Sequence, residues 1–193
     1  MRVARFLKSV ASEYMHVVRM KVKRQVLRYQ NPDLVIGYNT IIRYDTLVAI
    51  DIGPNVTIGP FCEIVALERT RMSPVRGRLA IAAHSVIGAF ANIRAAGGIV
   101  EIGPYALIAQ HVTIVAANHA LRAGEFYCQL PYDQERTGVR IGSNVWIGAG
   151  VCIMPGSSVG DNSVIAAGAV VTKDVPPNEL WGGIPARRMR ELH

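Results

Sequence analysis

The 193-residue chain predicts an all-β fold: a parallel β-helix of hexapeptide repeats, preceded by one amphipathic α-helix and interrupted by one long loop. Three observations predict it. An aliphatic residue recurs every sixth position from Ile36 onward. Glycine is frequent, at 18 residues, whereas aromatic residues make up only 7%, which suits tight turns better than a helical bundle. The apolar residues of the first thirty positions follow helical spacing instead. Half of all residues are apolar and 18% are charged, so wholesale disorder is excluded. No apolar run is long enough to predict a transmembrane helix.

The first element spans residues 1–33. Val3, Phe6, Leu7, Val10, Tyr14, Val17 and Val18 recur at helical spacing. The formal charge of +7 belongs to this segment, because residues 1–30 hold eight Lys or Arg against Glu13 alone and the rest of the chain is balanced. Two roles stand open: a cap over the mouth of the solenoid, or a basic amphipathic helix on an anionic membrane surface. Peripheral membrane contact through residues 1–30 is the favoured expectation. Nucleic acid is not expected as a partner, since it would leave the apolar stripe unexplained.

The repeats fill residues 34–178. They read IGYNTI and IRYDTL from Ile36, IGPNVT and IGPFCE from Ile52, and IAAHSV, IGAFAN and IRAAGG from Ile81. They continue with IGPYAL, IAQHVT and IVAANH from Ile102, then IGSNVW, IGAGVC, IMPGSS, VGDNSV, IAAGAV and VTKDVP from Ile141. Six contains the strand period of two, so every unit repeats one facing pattern. Three short strands close a triangular coil, and stacked coils at ~4.8 Å make a prism on the order of 29 Å tall for six coils. A β-sandwich would instead show alternation broken every 8–12 residues. The register slips between Val48 and Ile52 and between Ile93 and Ile102. Residues 65–80 break the repeat and carry Arg69, Arg71, Arg76 and Arg78, either as a solvated loop or as a rim facing an anionic acceptor.

The repeat stops at Asn118-His119 and resumes at Val139, leaving an excursion over residues 118–140. A long loop in a regular solenoid is usually functional. His119 stands at its base, and imidazole is the side chain suited to take a proton near neutral pH. His84 and His111 fall at turn positions and read as exposed corner residues, while His16 lies on the helix and His193 ends the chain. A tail, residues 179–193, completes the chain. Three unpaired-looking cysteines and the lack of a secretory pattern at the start lead us to expect a reduced, cytoplasmic protein.

These motifs resemble the hexapeptide-repeat acyltransferases over about residues 34–190. NHALRAGEFY, IGSNVWIGAG, VVTKDVPPN and GGIPARRMRE are most similar to the galactoside and maltose O-acetyltransferase branch. The resemblance implies a left-handed coil, a homotrimer with each site between two subunits, acetyl-CoA as co-substrate and a sugar or glycan acceptor. It implies His119 as general base and Glu125 as a catalytic loop acid that either orients His119 or contacts the acceptor. It also implies Trp146 at the donor and acceptor cleft, Ala149 and Ala167 against the donor, and Thr172, Lys173, Arg187 and Arg190 near its phosphates. Asn92 remains as an acceptor residue, but Arg94 replaces a second asparagine of that branch, which puts a galactoside or maltose acceptor in doubt. The implied activity is O-acetylation of a polysaccharide or glycolipid precursor. The alternatives are N-acylation of an amino sugar or antibiotic, and a non-catalytic scaffold. The same fold hosts zinc-dependent γ-type carbonic anhydrases, but the spacing of His84, His111 and His119 departs from theirs, so no metal is expected.

Overall fold

Triangular coils follow from the six-residue period, and the computed structural model contains six of them. It describes residues 2–193. The side chains of residues 2–10, Glu13 and His16 lie outside that description, and with them Val3, Phe6, Leu7 and Val10 of the expected stripe, the charges of Arg2, Arg5 and Lys8, and the reading of His16.

Successive strands cycle through three parallel sheets, so each strand pairs with the one three elements later. The first face begins with Val35–Ile36, the second with Ile41–Tyr44 and the third with Ile50–Ile52. Each inward column is almost pure aliphatic. On the first face Ile36, Ile58, Ile87, Ile108, Ile147 and Ile165 stack in register and end on Trp181, which plugs the C-terminal opening. The small residues expected at the fifth repeat position, such as Cys62, Ser85, Ala91, Ala106 and Ala169, are buried at the corners. Ser85 and Ser163 stay satisfied there by donating to the Gly103 and Pro176 carbonyls.

The four irregularities of the repeat share one edge, where the second face turns into the third. There lie the short 3-10 helix Leu47–Ala49, the 68–77 excursion, the Gly97-Gly98 bend and the long 118–140 excursion. The other two edges keep the strict period. Their corner residues hold left-handed φ, from Asn39 to Gly168 on the first–second edge and from Asn55 to Asn178 on the third–first edge.

Helix α1 spans Arg2–Gln30, a stretch without Gly or Pro, and stops before Asn31-Pro32. Its last turns close the N-terminal mouth. Leu27 is 1% exposed and completes the core. The strands of the first coil have carbonyls pointing away from the stack, an edge that invites aggregation. Arg24 donates to the Ile36 and Gly37 carbonyls at 2.5 and 3.0 Å, Arg28 to Ile36 at 3.2 Å, and Lys23 to Tyr44. Burial, reinforced by neighbouring Arg28, pulls the Arg24 pKa below its ordinary value. The basic residues near the helix end therefore cap the solenoid. Farther out, Tyr14 is 70% exposed, and Met15, Val17 and Val22 are also exposed. No described helix is long and apolar enough to cross a membrane.

At the other end, residues 179–191 of the tail form a hairpin. Glu179–Gly182 adds to the first face, and Arg187–Glu191 pairs with it in antiparallel fashion. Lys173 lies over the Trp181 ring at 5.2 Å.

Candidate active site

The long excursion leaves the coil at Ala116 and returns at Gly138, whose N–H donates to the Ala116 carbonyl at 2.7 Å. Its two arms pair. His119 and Tyr132 form an antiparallel bridge, Ala120 N donates to Pro131 O at 2.8 Å, and Asp133 N donates to Asn118 O at 2.8 Å. The loop lies along its edge of the prism. Tyr132 N reaches Met72 O of the upper excursion at 2.6 Å, and Arg136 reaches Thr172 O of the last coil at 2.7 Å.

This frame holds the His119 ring in one orientation. Nδ1 sits 2.9 Å from the Leu130 carbonyl oxygen, so Nδ1 carries the proton and donates it. The Tyr132 ring meets the imidazole edge-on, with centroids 5.0 Å apart. Tyr132 in turn lies on Gly97, where a Cβ would stand 2.5 Å from its ring. With Nδ1 committed, Nε2 bears the free lone pair, which is the state a general base needs. Glu125 lies on the exposed tip, its carboxylate 3.8 Å from Arg122. The group on Nδ1 is the Leu130 carbonyl, so a backbone oxygen and not Glu125 orients the imidazole.

The donor candidates fall into separate groups. Trp146 projects outward from the first face, 53% exposed, in the row Val35, Thr57, Val86, Leu107, Trp146, Val164 and Leu180. Ala149 and Ala167 lie at the first–second edge, next to Gly150 and Gly168, where an added Cβ would meet nothing within 4 Å. Arg190 stands opposite Leu180 at the end of the Trp146 row, and Arg187 opposite Gly182. Thr172 and Lys173 lie on the second–third edge instead, on the same edge as the His119 loop. Within one chain the whole second face separates that loop from Ala149 and Ala167. At Gly150 and Gly168 these corners are bare, with open space where a side chain would stand.

Asn92 is on the second face, its amide 3.4 Å from Glu63 Oε2. Arg94 follows two residues on, in register with Val115 of the strand that leads to His119. His84 and His111 are corner residues with φ of 61° and 59°, stacked on Tyr105 and Phe90 respectively. Among the described residues no three His, Cys, Asp or Glu side chains converge as a metal site. Sequence reasoning missed Tyr132, Leu130 and Gly97. Their roles come from contacts between distant segments, and no local pattern marks them.

A family model described as the bacterial transferase hexapeptide (six repeats) matches residues 138–173. The chain is 44% identical over 99 residues to the galactoside O-acetyltransferase of Escherichia coli K12, covering 49% of this chain and 45% of that protein. It therefore spans about half the length of the curated relatives it matches. A crystal structure of a maltose O-acetyltransferase from Clostridium difficile 630 superposes with a TM-score of 0.55 and 29% identity, over 84% of this chain and 68% of that one. The N-acyltransferase AntD from Bacillus cereus, crystallised with dTDP and 3-hydroxybutyryl-CoA, shares the fold at a TM-score of 0.64 and 19% identity, over 90% and 88% of the two chains. These matches bear out the resemblance to the hexapeptide-repeat acyltransferases, and the fold is their left-handed parallel β-helix.

Proposed function

We propose that this hexapeptide-repeat chain is an acyl-CoA-dependent O-acetyltransferase acting on a sugar hydroxyl, with its sites between the subunits of a homotrimer. The observation that carries the reading is the His119 imidazole, with Nδ1–H on the Leu130 carbonyl at 2.9 Å and Nε2 left as base. In the reaction, His119 Nε2 takes the proton of the acceptor hydroxyl as its oxygen attacks the thioester carbonyl carbon. The Leu130 carbonyl stabilises the imidazolium through Nδ1–H. The C–S bond then breaks, and the imidazolium returns the proton to the departing thiolate. Asn92 and Glu125 take the acceptor side. Trp146, Ala149 and Ala167 take the donor arm, and Thr172, Lys173, Arg187 and Arg190 its phosphates.

The separation of these groups supports association with a second copy, and the family resemblance makes it a trimer. A thioester along the first–second edge meets an imidazole only when a neighbouring copy brings its second–third edge alongside. The apolar outer row of the first face, with Val35, Val86, Leu107 and Trp146 all exposed, supplies surface for that association. The test combines calorimetry with acetyl-CoA and a labelled-acetyl assay against a sugar panel. His119→Ala is expected to keep donor affinity and to lower turnover by ~10²-fold or more. Unchanged turnover removes His119 from its role, and absence of acetyl-CoA binding favours a scaffold.

Peripheral membrane contact belongs to the same proposal. Beyond the capping turns, α1 exposes Tyr14, Met15, Val17 and Val22 beside Arg19 and Lys21. Deleting residues 1–19 leaves the cap residues in place. That truncation is expected to abolish co-sedimentation with anionic vesicles at low salt, and persistent sedimentation would refute the contact.

A further inference from the structure

The outer second face carries an unusual charge arrangement beside the His119 strand. Arg43, Val65, Arg94 and Val115 stand in one row, one residue per coil. Val65 is buried at 5% although it points outward, as expected if the stems of the flanking arginines cover it. One carboxylate serves both guanidinium groups: Glu63 Oε1 lies 3.6 Å from Arg43 and 3.9 Å from Arg94. Its other oxygen is 3.4 Å from the Asn92 amide. None of these contacts has the short bidentate geometry of a committed arginine–carboxylate pair, typically ~2.8 Å. The two arginine side chains are 49% and 51% exposed, so most of their donors remain available.

The surroundings add positive charge. Arg69 and Arg71 are exposed on the 68–77 excursion and have no ion pair among the described residues. That excursion bonds directly to the His119 loop through Met72 and Tyr132. The local acids are already engaged: Glu68 takes Arg76 and the Thr46 hydroxyl, and the Asp45 oxygens accept the N–H groups of Thr46, Glu68 and Arg69. Arg94 is also tied to the active-site strand, since its carbonyl accepts the Ala116 N–H at 3.0 Å.

We infer that the acceptor is an anionic sugar, bearing a carboxylate or a phosphate that binds Arg94 in place of Glu63, with Arg43, Arg69 and Arg71 completing a positive rim. This rests on the acetyltransferase reading for turnover, but the anion site stands on its own for binding. It makes Arg94 a specificity residue: a uronic-acid-type or phosphorylated sugar is favoured, and a neutral hexose is disfavoured.

The test uses the full chain and its Arg94→Asn variant, with methyl β-glucuronide, glucose 6-phosphate and methyl β-glucoside as probes. Direct titration reads binding, and labelled acetyl-CoA reads transfer. The wild type is expected to bind at least one charged probe ~10-fold or more tighter than the glucoside, with a preference that shrinks on adding salt. Arg94→Asn is expected to remove that preference while leaving acetyl-CoA affinity unchanged and the fold intact by circular dichroism. Whether the carboxylate or the phosphate probe is retained distinguishes the two sources. Equal binding of the three probes overturns the inference, as does a preference that survives in Arg94→Asn. Charge-selective binding lost in Arg94→Asn, with no acetyl transfer to any probe or to a wider sugar panel, would instead count against the acetyltransferase reading and leave the anion site standing.

Discussion

The first–second edge of the prism uses one corner conformation in all six coils and finishes it in two ways. In the upper four coils the left-handed corner residues are Asn39, Phe61, Phe90 and His111, with φ between 52° and 59°. Phe61, Phe90 and His111 stack face to face at 5.0 and 4.8 Å, and Tyr38 meets Phe61 edge-on at 5.0 Å. In the lower two coils the same corner holds Gly150 and Gly168 at φ of 69° and 71°, and the space above them is open. The dihedral angle does not require glycine there. The third–first edge of the same two coils holds left-handed Asn144 and Asn162, and the Asn144 side-chain amide N–H donates to Asn162 Oδ1 at 3.0 Å. Placing a ring at a left-handed corner costs about 1–2 kcal/mol. Each aromatic stack offsets about 0.5–1.5 kcal/mol of that. The upper edge is therefore tiled by side chains at little net gain. The bare lower edge is a choice of shape that leaves backbone reachable for the proposed donor.

Extending the upper half into the lower is the stronger way to break this contrast. Gly150→Phe adds a ring beneath His111 and fills the open floor. The apparent KM for acetyl-CoA is expected to rise by ~10-fold or more, with a much smaller loss of thermal stability because the new ring can stack. An unchanged donor KM would mean that the bare edge is not the donor floor. Mixing Gly150→Phe with His119→Ala subunits sharpens the same point, since hybrid trimers should recover activity only if one subunit lends the imidazole and another the donor edge. The reverse substitution is expected to do least. Phe61→Gly loses two ring contacts but relieves a strained corner, so chemical denaturation should show a loss below ~2 kcal/mol. Its transfer activity should match the wild type, and a large catalytic defect would extend the functional edge into the upper coils.

The two excursions and the two register slips show how much of this was legible. The hexad period located the coils, both slips and both excursions, because inward aliphatic residues must recur wherever a strand faces the core. That all four irregularities fall on one edge was not legible, since the period counts residues and not faces. The anchoring of α1 was also only half legible. Its amphipathic spacing predicts a helix, but Leu27 as the plug and Arg24 and Arg28 as caps of strand carbonyls appear only once the first coil is placed beneath them. Residues 179–191 read as a tail because they lack the hexad, yet they form a hairpin that extends the first face.

By itself the chain determined the coil and the place of His119 at a loop base, because these depend on patterns repeated within a few residues. Only the tertiary structure decided which atom holds the His119 ring, how the two excursions lean on each other, and that Arg94 shares its single carboxylate with Arg43. Those facts depend on segments tens of residues apart meeting on one edge or one face, and short-range sequence patterns carry no record of such meetings.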